Sequence, residues 1–259
     1  MMRNLFNMIS IELRKSIRSR IPLWTALGSL SLPLGISFLI FLSQNPELSR
    51  NLGLVSAKAD LMAFSGTNWG TYLSLFGEMM AAAGFILFVL IVSWVFGREF
   101  VDDTFKDLLA VPVPRGSILL AKFVVASVWS GGVALIILLS GLSAGLLLHL
   151  PGGSQETLLQ GSTLVLVTAG MVIAVGLPFA FFASLGRGYL LPIGAAILAL
   201  IMANLVAIAG WGEYFPWTVP GLYAQGENSL MPFSYWIVVI TGLVGVLATY
   251  AWWKYADQT

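Results

Sequence analysis

The sequence predicts an all-α polytopic membrane protein: six transmembrane helices behind an amphipathic N-terminal helix, with both termini in the cytoplasm. Three observations carry that prediction. The 259 residues are 58% hydrophobic and only 10% charged, and the mean hydropathy of +0.89 lies outside the range of soluble domains. The apolar residues fall in runs of about 20, the length that crosses a hydrocarbon core of roughly 30 Å. The lysines and arginines crowd onto one side of those runs.

Residues 1–21 come first. Leu5, Phe6, Ile9, Leu13 and Ile17 share one helical face, and Arg14 and Arg18 lie opposite, with Lys15 beside them. A basic amphipathic helix directly before a span belongs in the membrane interface, its cations toward anionic lipid headgroups. The periodicity suits simple anchoring and a mechanical role equally. Met1 to Arg20 is too polar for a cleavable signal.

The spans follow at 22–43, 76–96, 118–148, 162–184, 189–210 and 234–253. The polar loop between the first two, 44–75, is expected to hold a short helix near Leu52 to Phe64. The third span is long for one crossing, and Gly131-Gly132 is expected to bend it. The fourth contains Pro178, tolerable where neighbours satisfy the freed carbonyl. A tight hairpin at Gly186-Arg187-Gly188 joins the fourth and fifth. The whole chain, 1–259, reads as one transmembrane domain.

Orientation comes from the 13 Lys and Arg. With six spans, 11 of them fall on one side, and only Arg50 and Lys58 on the other. The positive-inside rule puts the 11, and both termini, in the cytoplasm. These cations sit at span ends, so no nucleic-acid partner is expected. The absence of cysteine excludes disulfides, thiolate metal sites and cysteine nucleophiles. The single histidine, His149, lies at a span's outer end and excludes paired-histidine metal chemistry. No metal site and no catalytic residue is expected, and the chain is not read as an enzyme.

The cytoplasmic connection 97–117 concentrates charge. Arg98, Glu99, Asp102, Asp103, Lys106, Asp107, Arg115 and Lys122 all lie between Gly97 and Phe123. Val101 to Val111 reads as a short helix, with Asp102 or Asp103 as N-cap or first-turn acid and Pro112 as its end. Phe105, Leu108 and Leu109 form an apolar edge, and the acids occupy the other faces. Carboxylates beside an anionic leaflet suit a protein groove of complementary charge better than lipid.

At these residues the chain resembles the type-2 ABC transporter permeases. In EFVDDTFKDLLAVPVPRGSILLAK the matching positions are Glu99, Thr104, Leu108, Leu109, Pro112, Arg115 and Lys122. The family usually has glycine before the threonine. Asp103 stands there instead, which implies a more regular local backbone. The segment YFPWTVPG, Tyr214 to Gly221, is similar to the lantibiotic- and bacitracin-resistance branch.

The resemblance implies a bacterial cytoplasmic-membrane exporter subunit. Its coupling helix would seat on a separate ATP-binding subunit through Glu99, Asp102, Asp103, Thr104, Phe105 and Asp107. ATP and Mg would be bound by that partner, because this chain has no GxxxxGK[ST] phosphate loop. It also implies a second permease chain, identical or homologous, and a re-entrant outer segment over 211–233. Asn204, Trp217 and Tyr223 are then candidates for the transport path. Glu213 and Glu227 stand near it, and Glu78 is a polar group at the outer end of the second span. Gly141 and Gly145 form a small-residue packing face.

An amphiphilic or hydrophobic cargo suits such walls: a peptide antibiotic, a drug or a lipid-linked molecule. A secondary transporter or a scaffold without a motor is the rival reading. The near absence of mid-span charge leaves a secondary transporter no coupling-ion site.

Overall fold

The computed structural model describes residues 2–45, 47–48, 66–110, 112–226 and 230–255. The expected helix near 52–64, Arg50, Lys58 and Glu227 lie outside the described residues, as do the side chains of Lys106 and Leu109. Among the described residues, six helical segments are long and apolar enough to cross a membrane.

Helix α1 (Met2–Arg18) precedes the first span, α2 (Ile21–Gln44). The second span, Trp69–Val101, has three parts: α3 (Trp69–Met79), one π-helical stretch (Met80–Gly84) and α4 (Phe85–Val101). After the short α5 (Phe105–Ala110) comes the third span, α6 (Arg115–Leu147). The fourth joins α7 (Gln155–Gly176) to α8 (Phe179–Leu185). The fifth is α9 (Leu190–Ile208). A 3-10 turn (Gly212–Tyr214) and α10 (Val219–Ala224) lead to the sixth, α11 (Pro232–Tyr255).

Two spans start seven residues earlier than hydropathy indicates, because polar caps begin them. The Asn68 side chain accepts from Thr71 N–H at 3.0 Å, and Ser154 accepts from Thr157 N–H at 3.1 Å. Each satisfies a backbone donor that the first helical turn leaves unpaired. These extensions pack on each other and on α6. A Cβ on Gly161 would fall 2.4 Å from Leu73, and one on Gly145 2.5 Å from Trp69. The third span runs through Gly131-Gly132 as one continuous helix, so no break occurs there. It ends after Leu148 with His149 left-handed (φ 51°), His149 N–H on Leu146 O and Leu150 N–H on Gly145 O, the Schellman closure of a helix.

The second span is the centre of the bundle, 56% of its most apolar stretch being buried. The fifth is peripheral at 17%. Tyr72 knots three spans together: its hydroxyl donates to Gly141 O at 3.0 Å and lies 2.9 Å from Ser37 Oγ. Gly141 gives the room, since a Cβ there would meet the Phe76 ring at 2.4 Å. The small face on the third span is thus filled from within this chain. Pro178 divides the fourth span, and Trp217 Nε1 donates to the Val175 carbonyl beside the break at 3.1 Å. Gly245 of α11 packs directly on Pro178, where a Cβ would lie 2.5 Å from the proline backbone.

Candidate functional site

At the end of the bundle that carries the basic residues, three elements bring ionised side chains into one buried cluster. Glu12 comes from α1, Arg98 and Glu99 from the last turn of α4, and Lys122 from the second turn of α6. Glu12, Glu99 and Lys122 are 1%, 2% and 0% exposed. Lys122 Nζ donates to Glu99 Oε2 at 2.8 Å and to the Val95 carbonyl at 2.7 Å, and lies 3.5 Å from Glu12 Oε2. Arg98 Nη2 bridges Glu12 Oε2 and Glu99 Oε1, both at 3.0 Å, and its guanidinium lies over the Trp94 ring at 4.5 Å. Lys15 closes the set from the half-exposed side, 3.3 Å from Glu12 and 3.5 Å from Glu99.

The cluster changes how α1 sits. Its protein-facing stripe is Met8, Glu12 and Ser16, one residue per turn and all buried. Phe6, Leu13 and Ile17 point outward at 71%, 42% and 69% exposure, and Arg14 and Arg18 are exposed on a third face. The helix therefore offers an apolar stripe and a cationic stripe to the outside while a carboxylate anchors it inside. Sequence reasoning missed Glu12. Its only signal was a lone acid, one turn before Ser16 and one after Met8, in a helix otherwise charged with Arg and Lys.

Glu99 was expected on a partner-facing surface, and the structure corrects this. The residue is 2% exposed, held by Lys122 and Arg98 at the wall of a cleft rather than on the surface. Phe105 is likewise buried (7%): its ring stacks on Phe100 at 4.2 Å and meets Trp253 edge-on at 5.0 Å. The expected N-cap is also corrected. α4 continues through Val101, Asp102 closes it by donating to Arg98 O, and Thr104 N–H bonds back to Glu99 O at 3.0 Å. α5 starts after Thr104, whose carbonyl accepts from Leu108 N–H.

Asp103 sits between these at φ 54°. The backbone takes the left-handed turn that the related glycine would give, so Asp103 does not regularise it. Aspartate tolerates that conformation better than most residues.

Asp102, Asp103, Thr104 and Asp107 remain exposed. They form an acidic surface on a segment held by Phe105, Leu108 and Arg115, whose Nη1 donates to Trp253 O at 2.6 Å. Beside it opens a cleft of about 490 Å³ lined by Lys15, Arg18, Trp94, Arg98, Asp102 and Tyr189. Among the described residues no three His, Cys, Asp or Glu side chains converge as a metal site would need.

The three far-end candidates separate. Asn204 and Trp217 line one cavity of about 270 Å³ together with Glu78. Tyr223 lines a different one of about 480 Å³ with Tyr235 and Thr163. Thr218 Oγ1 donates to Ala203 O at 3.2 Å, so the chain after the fifth span turns back along it.

The family model for ABC-2 family transporter proteins matches residues 8–204, from α1 through most of the fifth span. The chain is also similar to a bacitracin transport permease protein of Bacillus licheniformis, 28% identical over 183 residues, covering 67% of this chain and 85% of that protein. The matched region holds the whole buried cluster, from Glu12 to Lys122, and the acidic connection beside it. The chain belongs to the ABC-2 family of transporter membrane proteins.

Proposed function

We propose that this chain is the membrane subunit of a bacterial ATP-driven exporter and that its basic end faces the cytoplasm. A separate ATP-binding subunit, holding ATP and Mg, seats on the exposed surface of Asp102, Asp103, Thr104 and Asp107. The observation that carries this reading is that a buried ionic cluster ties α1 and α6 to Arg98 and Glu99, the residues that lead straight into the acidic surface. A push on the connection reaches Arg98 and Glu99 within a turn, and from them Glu12 and Lys122. Buried ion pairs with good geometry hold a fixed arrangement rather than slide, so the connection, α1, α4 and α6 move together. The exposed apolar stripe of α1 favours a place in the lipid interface, with Arg14 and Arg18 toward headgroups and Lys15 turned to Glu12 and Glu99 instead.

A second permease chain pairs with this one, and the path runs between them at the far end. Its cargo is an amphiphilic or hydrophobic molecule, and the related permease makes bacitracin the first one to test. The test is bacitracin accumulation in a sensitive bacterium expressing the chain together with its ATP-binding subunit. Reduced accumulation is expected, restored to the level of the empty host by D102R/D103N/D107R, which removes the acids while keeping a residue that tolerates the left-handed turn at 103. Equal accumulation with wild type, variant and empty host would remove the bacitracin-export reading.

A further inference from the structure

We propose that the cavity between the second span, the fifth span and α10 with its flanks is a recognition site for the cationic head of an amphiphile, most simply a primary ammonium. The proposal rests on the exporter reading, which it deepens by naming the cargo's charge. Glu78 of α3 is exposed and lines this cavity with Asn204 of α9 and Gln225. Among the described residues Glu78 has no ion-pair partner. An unpaired carboxylate on the outer part of a membrane helix is costly unless something cationic or water meets it.

The other two polar groups are acceptors of the same kind. Asn204, a lining residue of the cavity, uses its amide N–H on the Leu200 carbonyl at 2.9 Å, which leaves its side-chain oxygen as an acceptor. Gln225 carries another amide oxygen at the cavity wall. Three acceptors, one of them charged, match the three N–H donors of an ammonium.

The walls suit a head group rather than a large rigid ligand. The π-helical stretch Met80–Gly84 begins two residues after Glu78 and sets Ala81 and Ala82 along the cavity, so that wall carries only methyl side chains. π-turns are rare and frequent at functional sites. On α9, Ile197, Ile201 and Ile208 lie on the same face as Asn204 and are 50%, 52% and 86% exposed. That stripe is where an alkyl tail lies once the ammonium is held.

The test is saturable binding of radiolabelled octylamine to the purified full chain in nanodiscs of neutral lipid, with octanol as the uncharged isostere. Wild type is expected to bind octylammonium at least about tenfold more tightly than E78Q, as loss of a charge-assisted hydrogen bond gives. E78D is expected to retain most of the affinity, and N204L to lose a few-fold. Octanol binding is expected to be equal in all four. Equal octylamine affinity in wild type and E78Q, or octanol binding as tightly as octylamine to wild type, would overturn the proposal. The measurement needs no ATP-binding subunit, so its failure leaves the exporter reading standing, and a failed exporter test leaves this binding intact.

Discussion

The two ends of this molecule handle polar groups in opposite ways. At the basic end, two carboxylates and a lysine are removed from solvent and answered by partners within 3.5 Å. At the far end, Glu78 and Asn204 are exposed, border an open cavity and leave acceptors without partners among the described residues. A satisfied buried cluster is a rigid joint, whereas an unsatisfied group in a cavity is a place for a ligand. On the reading proposed above, transmission and recognition lie at opposite parts of the same second span, with Glu99 at one end and Glu78 near the other.

The sharpest way to break the contrast is to unbalance the joint. Lys122→Met leaves Glu12 and Glu99 buried with one cation fewer and should cost about 3–5 kcal/mol. Thermal unfolding in detergent should show it as a large drop in Tm or loss of the folded peak on gel filtration. A near-wild-type Tm would mean the cluster is not the anchor of α1. For the same reason Glu99→Arg is expected to unfold the basic end rather than alter docking alone.

The kinked region at mid-bundle comes next. Gly245→Val forces a side chain into the Pro178 backbone and should cost about 3 kcal/mol, whereas Gly131→Ala, with open space around its Cβ position, should leave Tm unchanged or raise it. Trp217→Phe keeps the ring but leaves the Val175 carbonyl without its indole donor, a loss of about 1–2 kcal/mol. If Trp217→Phe is silent, water or a backbone shift satisfies that carbonyl instead.

The smallest effect is a gain. Asp103→Gly should stabilise the chain by up to about 1 kcal/mol, because glycine takes the left-handed turn without strain. A loss of stability there would show that the Asp103 carboxylate makes a contact that its exposure does not suggest.

Much of this was legible beforehand, for stated physical reasons. Six apolar runs near 20 residues translate directly into six spans, since hydrocarbon thickness sets the length. Pro178 and the aromatic segment after the fifth span could be read because proline removes a donor and aromatics demand a place. The cluster could not be read. A helical wheel places every charge toward water, so Glu12 seemed one more polar residue of α1 and Glu99 one more acid on a surface. What buries them is the juxtaposition of residues 86 positions apart, Arg98 and Glu12, which periodicity does not contain. The turn at Asp103 escaped for a related reason: its conformation is set by the bonds of Asp102 and Thr104 to α4, and the side chain merely tolerates it. Glu78 was noticed, but only the π-helical stretch after it and the return of the chain along α9 make it part of a cavity.

The central claim is that the acidic surface, and not the buried cluster, is what an ATP-hydrolysing partner holds. D102R/D103N/D107R alters exposed positions and keeps at 103 a side chain that tolerates the left-handed turn, so each change is expected to alter stability by within about 0.5 kcal/mol and the variant separates docking from folding. The decisive measurement is a mild-detergent pull-down of the tagged chain from its native membrane, with ATPase activity assayed on the eluate. The account predicts that wild type brings down a soluble subunit with a phosphate loop and its ATPase activity. It predicts that the triple variant, folded and with unchanged Tm, brings down neither. A triple variant that retains the subunit and its activity at wild-type yield would contradict it.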